Sequence, residues 1–167
     1  FVLRAPIAEG TVLCRILEVQ EHTTFVREER AELAVHGGVI DWENSPYSLA
    51  CVFERHGKHG GCGMALVGGT ALTRGAAATT YAHDSHNLLV LGQTAADMTA
   101  AANAVIEMQG GIAVARDSSV TACAPLPIAG ILSDRPLPVL AAEIADVRHA
   151  LTENGYRHDN AIMSFAT

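Results

Sequence analysis

The sequence predicts an α+β domain: a mostly antiparallel sheet of several short strands, with two main helices in its second half. Three observations lead there. Seven or eight short apolar segments, bounded by Gly, Asn, Asp or Ser, follow one another along most of the 167 residues. The two stretches with clear helical spacing both fall after residue 93. Strands and helices do not alternate regularly, as they would in a parallel α/β fold. The length suits one domain with its own core, spanning residues 1–167.

Residues 11–19 are almost continuously apolar, broken by Arg15 and Glu18, as in a strand buried on both faces. Residues 32–35 and 39–40 flank His36-Gly37-Gly38, a hairpin turn in which glycine accepts positive φ. Residues 48–54 and 62–67 read as two further strands around the polar, glycine-rich loop 55–61. Segments 76–82 and 88–91 are strand-like and are separated by His83-Asp84-Ser85-His86-Asn87. Thr94 can cap a helix, with Asp97 three residues on as in a capping box. Met98, Ala102, Val105 and Ile106 then share a face, and Gly110-Gly111 supplies the stop. Residues 112–115 and 120–124 form a hairpin around Asp117-Ser118-Ser119. A second helix runs from about Pro138 to Asn154, with Leu140, Ile144, Val147 and Leu151 as its stripe and Gly155 at its end.

Hydrophobic residues make up 49% of the chain and charged residues 17%, a globular composition. The net charge is −7 and only 11 residues are Lys or Arg. No basic run exists to neutralise a phosphate backbone, so nucleic acid is not an expected partner. No stretch reaches the roughly 18 apolar residues of a membrane span, and the first residues are not a secretory signal. Cys14, Cys51, Cys62 and Cys123 lie far apart without a CxxC pair, mostly in apolar segments. They read as buried, reduced thiols in a cytoplasmic protein. A chain that starts without Met and stops in Met163-Ser164-Phe165-Ala166-Thr167 reads as a processing product or a fragment of something larger.

The densest polar cluster is His83-Asp84-Ser85-His86-Asn87, between two apolar strands. Two imidazoles, a carboxylate, a hydroxyl and an amide can hydrogen-bond a polar heterocycle or orient a water. The alternative is purely structural: Asp84 and Asn87 hydrogen-bond nearby backbone N–H groups to shape a turn. Glu54-Arg55-His56 with His59 is a second cluster. Arg55 can pair with a carboxylate such as Asp84 or grip an anionic ligand, and a solvated strand end is the bland alternative. HxxH is loosely compatible with a metal, but a metal site wants three or four ligands. Gly60-Gly61 and Gly68-Gly69 lead into no helix bearing a Lys-Ser/Thr pair, which removes the reason to expect phosphate binding. GxSxG, HxH and the His-x-Glu with Pro-Cys-x-x-Cys of zinc nucleobase deaminases are all absent. On its residues alone the chain has no complete catalytic apparatus.

Several of these segments, taken in order, resemble the C-terminal domain of bacterial adenine deaminases, members of the amidohydrolase superfamily. They are Val52-Phe53-Glu54-Arg55-His56, Arg74-Gly75-Ala76 and Ala82-His83-Asp84-Ser85-His86-Asn87 with the apolar run behind it. Asp97-Met98 opening a helix through Ala102-Asn103 to Ile106-Glu107, Leu126-Pro127-Ile128-Ala129-Gly130 with Ser133-Asp134, and Met163-Ser164-Phe165 complete the set. Residues 68–73 depart from the family pattern, lacking its Phe-Gly-Leu-Lys stretch. The resemblance implies a role in hydrolysing adenine to hypoxanthine and ammonia in purine salvage, with this chain inactive without a metal-binding barrel. It implies iron, manganese or zinc in that absent barrel and no metal in this chain, with the barrel as partner, adenine as substrate, and a homo-oligomer. It makes His83, Asp84 and His86 candidate catalytic residues, and Ser85, Asn87, Arg55 and His56 candidate substrate contacts. Two other roles compete: a non-catalytic scaffold or oligomerisation module, and a free-standing purine-binding regulatory domain.

Overall fold

The computed structural model describes residues 1–23, 25–69, 71–83, 85–158 and 166. Its elements in chain order are β1 Gly10–Val19, β2 Val26–His36, β3 Val39–Ile40, β4 Ser48–Phe53, β5 Cys62–Gly69, β6 Ala76–Thr79, β7 Leu88–Gly92, α1 Ala95–Glu107, β8 Gly111–Arg116, β9 Ser119–Pro125 and α2 Leu137–Glu153. The strands form one sheet in the order β3-β2-β1-β5-β4-β7-β6-β8-β9. Every neighbouring pair is antiparallel except β1 and β5, which run parallel. The chain is thus α+β, with a mixed, mostly antiparallel sheet and both helices in the second half. Among the described residues no helix is long and apolar enough to cross a membrane.

Because side chains alternate across a pleated strand, the sheet separates two cores. Val90, Ala113 and Ala115 face one core, where Met98, Ala101, Ala102 and Val105 of α1 pack on them. Leu91, Ile112 and Val114 face the other, against Val147, Ala150 and Leu151 of α2. Strands β6, β7 and β8 are therefore buried on both sides, and the Ala-rich β6 presents little bulk to the elements packed on it.

Strand β1 departs from the expectation of burial on both faces. Ile16 is fully buried, yet Leu13 is 62% exposed and Leu17 is also exposed. The helices pack mainly on β6 to β9, and β1 lies outside their main cover. One face of the β1 and β2 pair is closed by Trp42 with Phe1, Leu3 and Tyr47; the other meets solvent and carries ion pairs. There Arg15 and Arg30 pair with Glu28, while Arg27 pairs with Glu29 on the opposite face, at the exposed start of β2. Those charges also explain why β2 begins at Val26 and not near Glu32: its first half is a solvent-facing strand whose sequence looks like a charged loop. Burial of the cysteines needs correction too. Cys51 is buried and Cys14 half-buried, but Cys62 and Cys123 are exposed, and all four are free thiols. Burial, its largest cause, pushes the Cys51 thiol up to about 12.

The helix ends follow local chemistry. The Thr94 hydroxyl accepts from the Asp97 N–H at 3.2 Å and donates to the Asp97 carboxylate at 2.9 Å. The other Asp97 oxygen accepts from the Ser118 N–H at 2.7 Å, tying α1 to the hairpin between β8 and β9. Asp117 and Ser118 both have positive φ, as a two-residue type I′ turn requires. Ala101, not Ile106, completes the buried face of α1, and Ile106 in the last turn is 61% exposed. In α2, Val147 and Leu151 are buried as the stripe predicts, while Leu140 and Ile144 only border the core.

The end of α2 is held by residues 73–75. The Asn154 carbonyl accepts from the backbone N–H groups of Thr73 and Arg74, and the Arg74 guanidinium donates twice to the Glu153 carbonyl. These bonds satisfy carbonyls that a helix end otherwise leaves unpaired. Gly75 sits at φ +67°, where an added Cβ would stand 2.4 Å from Asn154 Nδ2 and 2.5 Å from the Ala115 carbonyl oxygen. Gly75→Ala should therefore destabilise the fold by about 2–4 kcal/mol, from left-handed strain plus overpacking. Urea unfolding checks this, with Gly61→Ala as control: it has open space and no left-handed φ, and should change stability by less than about 0.5 kcal/mol.

Candidate functional site

The registers bring one set of loops to one end of the sheet. Phe53 pairs with Cys62 and Leu88, Thr79 with Leu89 and Ile112, and Gly111 with Pro125. Loops 54–61, 80–87 and 126–136 therefore emerge side by side, next to the C-terminal end of α1. All the candidate site residues lie in the first two.

Glu54 organises the first loop. Its carboxylate accepts backbone N–H bonds from His56 (2.5 Å), Lys58 (3.0 Å), His59 (3.1 Å) and Gly60 (3.1 Å). The bonds from His59 and Gly60, followed by those from His56 and Lys58, hold its pKa down at about 2. The side chains of His56, Lys58 and His59 are thereby displayed on a loop curled around one carboxylate. Arg55, the next residue, turns to the other two loops. Its backbone N–H donates to Asn87 Oδ1 (3.4 Å), its Nε to the His86 carbonyl (2.6 Å) and its Nη2 to the Ala129 carbonyl (2.5 Å). Among the described residues no carboxylate pairs with Arg55.

The histidines meet nearby. His56 Nε2 lies 3.1 Å from the Ser85 carbonyl oxygen. The Ser85 hydroxyl accepts from the Asn87 N–H (3.3 Å), and the His86 N–H donates to the Ala82 carbonyl (2.6 Å). His83 and His86 contact edge to face with ring centroids 5.3 Å apart, and Tyr81 packs on His83 at 4.9 Å. His86 adopts φ +49°, and its buried Nδ1 has no hydrogen-bond partner among the described residues. The structure thus gathers Arg55, His56, His83, Ser85, His86 and Asn87 at one place; Asp84 lies outside the described residues. The structural alternative expects Asn87 to bond nearby backbone N–H groups; its side chain instead accepts the N–H of Arg55 from another loop, and the local turn bond is made by the Ser85 hydroxyl.

Sequence reasoning assigned no role to four participants. Glu54 is one. Thr80 is another: buried, it donates its hydroxyl to the Gly130 carbonyl (2.7 Å) and accepts from the Gly111 N–H (2.9 Å). Ala129 and Gln109 both take positive φ without being glycine. Gln109 borders a cleft of about 190 Å³ with Arg55, Thr80, Leu88 and Val105. The usable signal was an acidic residue preceding a glycine-rich loop whose N–H groups have no strand to bond.

Chemically, the cluster offers a cation, imidazoles and an amide able to hydrogen-bond a polar heterocycle or hold a proton. Among the described residues no three His, Cys, Asp or Glu side chains converge as a metal site, and two imidazoles alone do not make one. A larger polar cleft of about 550 Å³ lies at the opposite end of the sheet, lined by Glu43, Arg74, Asp97 and Arg116 among others. Its charges serve the fold: Asp97 caps α1, Arg74 binds the end of α2, and Arg116 pairs with Glu153.

Glu54 makes the loop sensitive to acid. Its folded pKa lies below the ordinary 4.5, so its support is complete above that value and is lost as pH falls through about 2. Amide exchange at His59 and Gly60 should be slow at pH 5 relative to intrinsic rates and lose that protection between about pH 4 and pH 2. Glu54→Gln should show the unprotected pattern already at pH 5.

The family model described as the adenine deaminase C-terminal domain matches residues 23–167. "Adenine deaminase 2" of Shouchella clausii (strain KSM-K16) is 46% identical over 159 residues, 95% of this chain and 28% of that protein. The adenine deaminase of Clostridium perfringens (strain 13 / Type A) is 44% identical over the same shares. "Adenine deaminase 2" of Oenococcus oeni (strain ATCC BAA-331 / PSU-1) is 38% identical over 100% of this chain and 30% of its own length. The chain spans less than a third of the length of these relatives. It belongs to the adenine deaminase C-terminal domain family.

Proposed function

We propose that this chain serves as the C-terminal domain of an enzyme that hydrolyses adenine to hypoxanthine and ammonia, in purine salvage in the cytoplasm. The observation that carries the reading is the match over almost the whole chain to longer proteins named adenine deaminases. In this reading the remaining two thirds hold an amidohydrolase barrel, which supplies a divalent metal (iron, manganese or zinc) and with it water activation. The part played here belongs to the loops at one sheet end. His83, Asp84 and His86 face the barrel mouth, where they exclude bulk water and can hold or pass a proton; Ser85, Asn87, Arg55 and His56 bound the space for the base.

A second reading, an assembly module that packs on the barrel or on a second copy, is favoured by Leu13 and Leu17, apolar side chains left exposed on the uncovered face of β1. The two readings part on the effect of changing the loop. Ammonia release from adenine is the first measurement. This chain with added iron, manganese or zinc should release none, and the same chain joined to the N-terminal part of a relative should release it; activity of the chain alone would refute the proposal. In the joined protein, Asp84→Asn should lower turnover by roughly a hundredfold with little change in melting temperature. Unchanged turnover in a normally folded variant removes the loop from the mechanism and leaves the assembly reading.

A further inference from the structure

We infer that Arg55 is a positioning residue: it locks loops 80–87 and 126–134 into one wall and thereby fixes where the His86 imidazole stands. The inference rests on the proposed placement of that wall at the reaction only for its kinetic consequence. Its geometry is independent of that reading.

Among the described residues six non-glycine positions have positive φ; two of them, His86 (+49°) and Ala129 (+56°), give their carbonyls to this guanidinium, and Gln109 (+60°) lines the same cleft. The other three, His22, Asp117 and Ser118, lie elsewhere, the last two in the β8–β9 hairpin. Left-handed backbone is strained for residues with a Cβ, and such strain persists only where the surroundings enforce it. Here the enforcing bonds can be named. Arg55 Nε donates to the carbonyl of His86 at 2.6 Å and Nη2 to that of Ala129 at 2.5 Å, so two strained residues hang on two arms of one planar cation. A hydrogen bond from an ionised donor is stronger than one between neutral groups. Among the described residues no carboxylate competes with these carbonyls for the guanidinium.

The mounting is rigid on every side. Glu54 fixes the loop that starts at Arg55, and Thr80 joins the Gly130 carbonyl to the Gly111 N–H at the start of β8. Gly130 leaves no spare room: an added Cβ would stand 2.5 Å from Arg55 Nη2 and 2.9 Å from Thr80 Oγ1. A lysine at position 55 keeps the charge but cannot reach two carbonyls in fixed, divergent directions. The outcome is that His86 keeps its Nδ1 buried and, among the described residues, unpaired, an arrangement that a free loop would relax by turning the ring to solvent.

The test uses Arg55→Lys in this chain, read by amide exchange and by the His86 ring resonances. Exchange should speed up more than tenfold at His86, and together with it at Ile131 and Leu132, whose N–H groups bond the Ile128 carbonyl. The His86 ring signals should shift, while amides of β4 and β8 stay protected. Gly130→Ala, which displaces the same guanidinium from the other side, should reproduce the pattern and serves if the lysine variant folds poorly. Loosening of only one loop, or unmoved His86 resonances, overturns the inference. In the joined deaminase, Arg55→Lys should cut kcat about tenfold or more with a smaller change in KM. A kcat that holds while both loops loosen would leave the clamp standing and overturn the placement of the wall at the reaction.

Discussion

Two helices cannot cover both faces of a nine-stranded sheet. At about 4.8 Å between strands the sheet is roughly 38 Å across, while a helix with its side chains is about 10 Å wide. The helices here sit on opposite faces over the same side of the sheet, packing mainly on β6 to β9. That placement decides the composition of everything else. Of the strands they contact, β6, β7 and β8 are buried on both faces, with Ala76, Ala77, Ala78, Ala113 and Ala115 keeping the layers close, while the edge strand β9 stays largely exposed. Away from the helices, β1 and β2 set an apolar face against Trp42 and the first residues of the chain and a charged face toward water.

The parts of this fold that were legible in the sequence are those decided within a few residues. The His36-Gly37-Gly38 turn, the Thr94 cap, the glycine stop after α1 and the hairpin at Asp117-Ser118 each follow from backbone chemistry at the site itself. Burial was less legible, because the run from Thr11 to Val19 is apolar whichever faces are covered. The charged start of β2 was hidden for the converse reason: Arg27, Glu28, Glu29 and Arg30 are strand residues only because their partners lie on the same pair of strands. Strand order, including the parallel pairing of β1 with β5, has no local signature at all.

The candidate site divides in the same way. The two clusters, Glu54-Arg55-His56 and His83 to Asn87, stand out by composition, and the registers explain why they meet: β4 and β7 are neighbours, and Phe53 pairs with Leu88. What composition could not convey is that both adjacent charges are spent on backbone groups. Glu54 gathers four N–H donors and Arg55 two carbonyls, and neither forms an ion pair with the other. Acceptors and donors of the main chain occur at nearly every position and so mark none. For the same reason the roles of Ala129 and Gly130 appear only in three dimensions.

The single parallel pairing in the sheet has a consequence for how the domain comes apart. Strands β1, β2 and β3 form a meander bound internally by ten residue pairs between β1 and β2. It joins the other six strands through only four, Ile16 to Val19 against Leu66 to Gly69. Neither helix spans that seam. A short ladder without a helical brace is the weakest backbone seam of a sheet, and what else holds the meander is the apolar core that runs from Ile16 and Trp42 through Leu49 to Met98. Loops 54–61 and 80–87, with His56, His59, His83 and His86, lie on the other side of that seam from the meander. Fluctuations that open the meander at the seam can therefore leave them in place.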